Sequence, residues 1–340
     1  MTLSLRRTAR RSRSGTEAIS QTRSPRPFGP RDDARFAALV FALAYGIVWL
    51  PGCAGMRKSP PHSETPMEQI RQQIRVGGEK GAFTAGVSKV EITPPVGTPL
   101  AGYAKRRGKP SVGIRDPLYV RVLALSDGED TAVILSTDLL VFPMPLAEKV
   151  IDRLEKEFGL PRQGIVLAAT HTHSGAGAIA RGFIFEQVFG PYRDEVVEGI
   201  TSRILWAVRQ ALKGRKPVRW AAAAAPVFLG GWVENRAMEG GAVDSSLSVL
   251  FLETLEVKPL VVVVSAAAHP TLLDSRDMRM SADFPGEVTR RMESEYPGIV
   301  SLFLNGGAGD ARPKDSIGSN SQERIERFGT LLAEGAVGLV

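Results

Sequence analysis

Two apolar runs in this sequence end in histidine. Ile165–Ala169 leads into Thr170-His171-Thr172-His173-Ser174-Gly175-Ala176-Gly177. In extended backbone, residues two apart project to one face, so His171 and His173 can share a pocket. The two glycines let the chain turn and bring backbone N–H groups close to a ligand. Two neutral imidazoles on one face suit a borderline metal such as zinc, or one ligand plus one proton shuttle. They would equally serve as a pair of hydrogen-bonding strand-end histidines. Leu260–Ala266 then delivers His269-Pro270-Thr271 at a second strand end, where α/β proteins place ligands. Catalytic zinc takes three protein ligands and keeps one open position. A ligand beyond these histidines would have to be Asp, Glu or Tyr.

Two further stretches fit a pocket rim. Glu234-Asn235-Arg236 follows the turn at Gly230-Gly231, and Arg236 offers a cation to an oxyanion or a polar headgroup. As plain structure it is a surface loop. Asn305-Gly306-Gly307-Ala308-Gly309-Asp310 follows the apolar run Ile299–Leu304. It lacks the Gly-Lys-Ser/Thr ending of a phosphate-binding loop. Asp310 could orient a metal-bound imidazole or cap the next turn. The fourth histidine, His62, lies in a polar stretch and reads as a solvated bystander.

These residues need a rigid frame. Strands are expected at Tyr119–Leu125, Ala132–Ser136, Ile165–Ala169, Trp220–Phe228, Ser248–Leu252, Leu260–Ala266 and Val300–Leu304. Runs such as Val261–Val264 are apolar on both faces and call for cover on both. Helices are expected at Leu146–Phe158, Asp194–Leu212, Gly286–Glu295 and Gln322–Ala336. In the second, Val197, Ile200, Ile204, Leu205, Val208 and Leu212 form one core-facing stripe. The fold class is therefore α/β: a layered, mixed β-sheet with flanking helices and a metal site at strand ends. No internal repeat is visible.

The 43 basic residues exceed the 36 acidic ones by seven, but the excess is local. Residues 1–36 hold nine arginines and three acids; the chain from Cys53 onward nets only +1, which gives no argument for nucleic acid. After the arginines, Phe36–Leu50 is apolar, about 22 Å long as a helix and short of a bilayer core. Leu50-Pro51-Gly52-Cys53 resembles a bacterial lipobox, so residues 1–52 read as a signal peptide and Cys53 as the lipidation site; the rival readings are a short membrane anchor that is kept and an ordinary buried cysteine. Residues 53–82 read as a flexible tether and 83–340 as the catalytic domain. The implied location is the cell envelope, anchored by lipid and, with Ala54 after the cysteine, at the outer membrane.

Taken in order, the motifs resemble the neutral/alkaline non-lysosomal ceramidase family. They are Ala85–Pro95 with Gly102-Tyr103, Thr170–Gly175, Asn235-Arg236, His269-Pro270-Thr271 with Ser281-Ala282-Asp283, and Gly306–Asp310. The resemblance implies a one-zinc hydrolase of the N-acylsphingosine amide bond. It makes His171 and His269 the zinc imidazoles, His173 a proton-transfer group, and Arg236 part of the active-site lining. It also carries two departures. Arg312 stands where the family has a serine, and the family's remaining ligands, a glutamate and a tyrosine, come from a segment downstream of Val340. Either the sequence is truncated or this is a short homologue with a weaker or different site, with Asp138, Glu234 or Asp283 as the substitutes at hand.

The reading is a Zn2+-dependent amidase acting on ceramide or a related N-acyl lipid through a metal-activated water, with one ion per chain. Its partners are that lipid and, through the anchor, a membrane. The alternatives are a metal-dependent hydrolase of another envelope amide or ester, and a non-catalytic envelope lipoprotein on the same scaffold.

Overall fold

Strands that are apolar on both sides need cover on both faces, and that need organises the chain. The computed structural model describes residues 75–77, 83–226 and 232–340. The expected signal peptide, Cys53 and most of the expected tether lie outside them. Arg75–Gly77 (β1) is a strand paired antiparallel to residues 220–222, so the tether expected to reach residue 82 yields these three residues to the sheet.

The strands that follow are β2 (Phe83–Glu91), β3 (Gly113–Ile114), β4 (Tyr119–Ser126), β5 (Thr131–Thr137), β6 (Ile165–Ala169) and β7 (Lys216–Pro226). Then come β8 (Val233–Asn235), β9 (Ser246–Thr254), β10 (Pro259–Ala266), β11 (Arg279–Met280), β12 (Val300–Asn305) and β13 (Ala311–Pro313). The α-helices are α1 (Met144–Phe158), α2 (Phe183–Phe189), α3 (Asp194–Lys213), α4 (Asp283–Glu295) and α5 (Ser321–Val337). One mixed sheet runs β12-β10-β9-β7-β2-β4-β5-β6, with β1 also on β7. The β10–β12 and β5–β6 pairs are parallel and the others antiparallel.

That order is one unit used twice. β2, the β4–β5 hairpin, α1, β6 and α3 are matched in sequence order and pairing by β7, the β9–β10 hairpin, α4, β12 and α5. β2 and β7 meet antiparallel at the centre. No repeat is legible in the residues because what recurs is connectivity, which different apolar side chains can satisfy.

Alternate residues divide the core into layers. Val120, Val122, Val133 and Leu135 pack with Val150 of α1 and Ile204 and Val208 of α3. Their neighbours Leu123, Leu125 and Ile134 face Val261, Val263 and Leu302 of the second half. Beyond these, Val262 and Val264 meet Phe284 and Val288 of α4 and Phe328 of α5. The sheet is doubled over between two helical layers. The Ser136 hydroxyl, donating to the Phe303 carbonyl at 2.7 Å, ties β5 to β12 across the interior.

All the expected strands and helices are present, with ends shifted by a few residues; the last two residues of the expected Trp220–Phe228 strand lie outside the described chain. β2 and the seven-residue α2 were not foreseen. β2 contains Gly86, which reads as a strand breaker. Here it is a contact requirement, because a Cβ would lie 2.0 Å from the Ala211 carbonyl oxygen of α3.

Candidate metal centre

The doubled sheet brings the ends of β6 and β10 together. Past β6, Thr170 and His171 donate their N–H groups to the carbonyls of Thr137 and Leu139 at 2.9 and 3.0 Å. His171 takes a left-handed backbone conformation (φ 69°) that turns the chain inward. Past β10, His269 donates its N–H to the Ala311 carbonyl at 2.9 Å. One ring nitrogen from each of His171, His173 and His269 lies within 4.8 Å of the others.

Two of the rings are held in a fixed tautomer by backbone. His171 Nδ1 is 2.7 Å from the Leu140 carbonyl and His269 Nδ1 is 3.0 Å from the Ala308 carbonyl. A carbonyl only accepts, so each Nδ1 carries the proton and each Nε2 keeps its lone pair. His173 Nε2 lies 3.0 Å from His269 Nε2 and is therefore the donor of that pair. Its own Nδ1 is buried, facing the Gly102 carbonyl without closing a hydrogen bond. The other tautomer, with the proton on Nδ1 instead of Nε2, would donate to that carbonyl and free the third Nε2.

Burial lowers the pKa of all three imidazoles. For His173 burial acts first, then the neighbouring His269, His171 and Arg106, bringing it to about 3. His171 and His269 are lowered by burial as well, partly offset by their carbonyl partners. At neutral pH the cluster is three neutral imidazoles, the form that ligates a borderline metal. Nitrogen donors backed by carbonyls fit Zn2+, whose imidazole ligands donate their other N–H to an outer acceptor. No carboxylate joins the three imidazoles among the described residues. Asp138 is engaged by Arg121 at 3.0 Å and by the Tyr119 N–H. Glu234 pairs with Arg312 at 2.7 Å. Asp283 accepts from the N–H groups of Leu273 and Phe284. None of these substitutes reaches the cluster.

The Gly102-Tyr103 segment supports His173. Gly102 sits at φ +108°, and a Cβ there would lie 2.8 Å from the Cα and ring of His173. The Tyr103 ring packs at 4.9 Å from the His173 ring, and its hydroxyl donates to the Leu273 carbonyl. Burial, reinforced by Asp283, raises the Tyr103 phenol above its usual range and keeps it protonated.

The rim is the antiparallel ribbon of β8 and β13. Arg236 donates its N–H to the Asp310 carbonyl and its Nε–H to the Gly309 carbonyl, and its charge is felt at His171 and His269. The Asp310 carboxylate accepts from Asn235 at 3.0 Å, while the group orienting His269 is the Ala308 carbonyl. Sequence reasoning missed Leu140, Ala308 and Arg106. The first two act through backbone oxygens that any residue carries. Arg106 lies in the basic run Lys105-Arg106-Arg107, which reads as a solvated surface.

The N-terminal pattern of the neutral/alkaline non-lysosomal ceramidases matches residues 83–321, well over half of the chain. The chain belongs to that family. Neutral ceramidase B of Dictyostelium discoideum is 22% identical over 237 residues, covering 63% of this chain and 33% of that protein. The fold matches the crystal structure of neutral ceramidase from Pseudomonas aeruginosa with a TM-score of 0.69 at 21% identity, over 76% of this chain and 45% of the other. A ceramidase complexed with C2 matches with a TM-score of 0.70 at 20% identity, over 75% and 43%. The chain thus spans a third to under half of the length of these ceramidases.

Proposed function

We propose that this chain is a zinc-dependent amidohydrolase of the neutral ceramidase type, cleaving the N-acyl amide bond of ceramide or a related N-acyl lipid. The observation that carries the reading is the cluster of three neutral imidazoles, two of them aimed by the Leu140 and Ala308 carbonyls. Family membership supports the choice of substrate class. In this reading His171 and His269 hold one Zn2+, and His173, beside them, passes a proton to the leaving amine. Bound zinc would supply a Lewis acid for the amide carbonyl and a water with a pKa near ~7. Arg236 is the cation at the rim that faces the developing oxyanion or the polar headgroup. The reading includes lipidation at Cys53 and placement at the outer membrane, which a Cys53→Ser variant should abolish in cell fractionation.

The test is elemental analysis of the purified full chain, together with hydrolysis of N-acylsphingosine with and without a chelator. Near-stoichiometric zinc and chelator-sensitive turnover are expected. Turnover that survives chelation would sink the zinc chemistry. Activity confined to water-soluble amides would move the substrate class away from lipids.

A further inference from the structure

Arg106 is 3% exposed, and among the described residues no carboxylate lies within ion-pair distance of its guanidinium, those of Asp274 and Asp277 acting on it only through space. Its guanidinium instead donates to acceptors on three separate loops. Nη1 reaches the Ala101 carbonyl at 3.0 Å and the His173 carbonyl. Nη2 reaches the Asp277 carbonyl at 2.9 Å, the Ser174 hydroxyl at 3.2 Å and the Asp274 carbonyl at 3.3 Å. The Tyr103 ring stacks on it, 4.8 Å from the guanidinium carbon to the ring centroid. A buried cation without a counter-ion is costly, and the usual answer is a carboxylate partner. Here main-chain dipoles replace it, and the acceptors include the turn carrying His173 and the loop following His269.

We infer that Arg106 is a positioning residue of the metal centre, clamping the loop after β6 to the loop after β10 so that the imidazoles of His173 and His269 face each other. The inference rests on the metal-centre reading above. A planar fork suits the place because Nη1 takes the Ala101 and His173 carbonyls while Nη2 takes the Ser174 hydroxyl and the Asp274 and Asp277 carbonyls, five acceptors on three loops at once. A lysine ammonium radiates three donors from one point and cannot span them.

The test uses the full chain and Arg106→Lys, with Leu154→Ala as a destabilised control in the helix–sheet core. The first readout needs no metal. Long-range 1H–15N spectra of the four histidines report which ring nitrogen carries each proton. Wild type should show His173 protonated at Nε2, and Arg106→Lys should show an averaged His173 ring, whereas Leu154→Ala keeps the wild-type pattern. The second readout is zinc affinity by chelator competition, expected to fall about 10–100-fold in Arg106→Lys, the usual cost of losing an outer orienting contact. Unchanged His173 tautomer signals in folded Arg106→Lys would overturn the inference. So would an equal change in Leu154→Ala. If Arg106→Lys does not fold, Ser174→Ala is read in the same spectra: an averaged His173 ring sustains the inference and an unchanged one ends it. A wild type that binds no zinc would defeat the proposed function, while the ring spectra would still decide the role of Arg106.

Discussion

The two halves of the sheet reach the same site by opposite means. In the first half the imidazole follows the second strand of the parallel pair, β6, and is oriented by the Leu140 carbonyl, three residues past β5. In the second half the imidazole stands three residues past β10, where Leu140 stands past β5. It is oriented by the Ala308 carbonyl, three residues past β12. Clustered imidazole and orienting carbonyl have exchanged places on one scaffold. A strand end can thus supply either the imidazole of the cluster or the backbone that aims it, and only the first of these constrains the residue type.

The largest effect should come from the binding side chains. His171→Ala or His269→Ala should lower zinc affinity by more than about 100-fold, beyond the range of outer contacts. Leu140→Ala at the matching aiming position should lose stability, by about 2–5 kcal/mol for a buried leucine, yet keep its metal, because the carbonyl remains. Chelator competition and urea unfolding on the same samples check both. Equal metal loss in both variants would break the comparison.

Gly102→Ala comes next. It combines a backbone conformation that side chains disfavour with a collision against His173. A loss of about 1–3 kcal/mol in unfolding free energy is expected, with weaker zinc binding. An unchanged urea midpoint would mean that the segment moves aside at no cost.

The pH dependence of the metal-free protein separates two buried groups of opposite sign. His173 has a folded pKa of about 3 against 6.5 for an ordinary imidazole. Between those values the unfolded chain binds more protons, so this group's contribution to stability falls as pH drops through the window. Burial raises Asp283 from 3.8 to about 7, so its contribution is fully present below 3.8 and is lost as pH rises toward 7. Urea midpoints from pH 4 to 7 should fall less steeply toward acid in His173→Gln than in wild type. In Asp283→Asn they should fall more steeply. Identical slopes in all three proteins would refute both assignments.

The smallest effect should be that of Asp310→Asn. Its carboxylate braces Asn235, while His269 is aimed by Ala308, so zinc affinity should stay within about threefold of wild type, below the usual cost of removing an orienting contact. A tenfold loss would place Asp310 among the groups that aim the centre.

The three clustered histidines were legible in the sequence because each follows an apolar strand and histidine is rare in this chain. The parallel and antiparallel mixture was legible as well, since hairpin-length gaps separate β4 from β5 and β9 from β10. What aims the histidines was not legible. Backbone carbonyls carry no residue signature, and Arg106 looks like its exposed neighbours until the fold buries it. β2 was hidden for a related reason: Gly86 weakens the strand pattern, and its purpose shows only once α3 lies 2.0 Å from where its Cβ would be. The doubling of topology left no trace because the paired units share pairing rules rather than side chains.

The doubling also sets an order of events. Asn305 at the end of β12 donates its side-chain amide to the Thr170 carbonyl at the end of β6, joining the last strand of each unit. A chain emerging from the ribosome presents His171 and His173 long before His269, and the segments that aim the last ring come later still. The cluster is therefore complete only after long-range closure between the outermost strands, the slowest kind of contact to form. Metal capture by this protein would report the end of its folding, not its beginning.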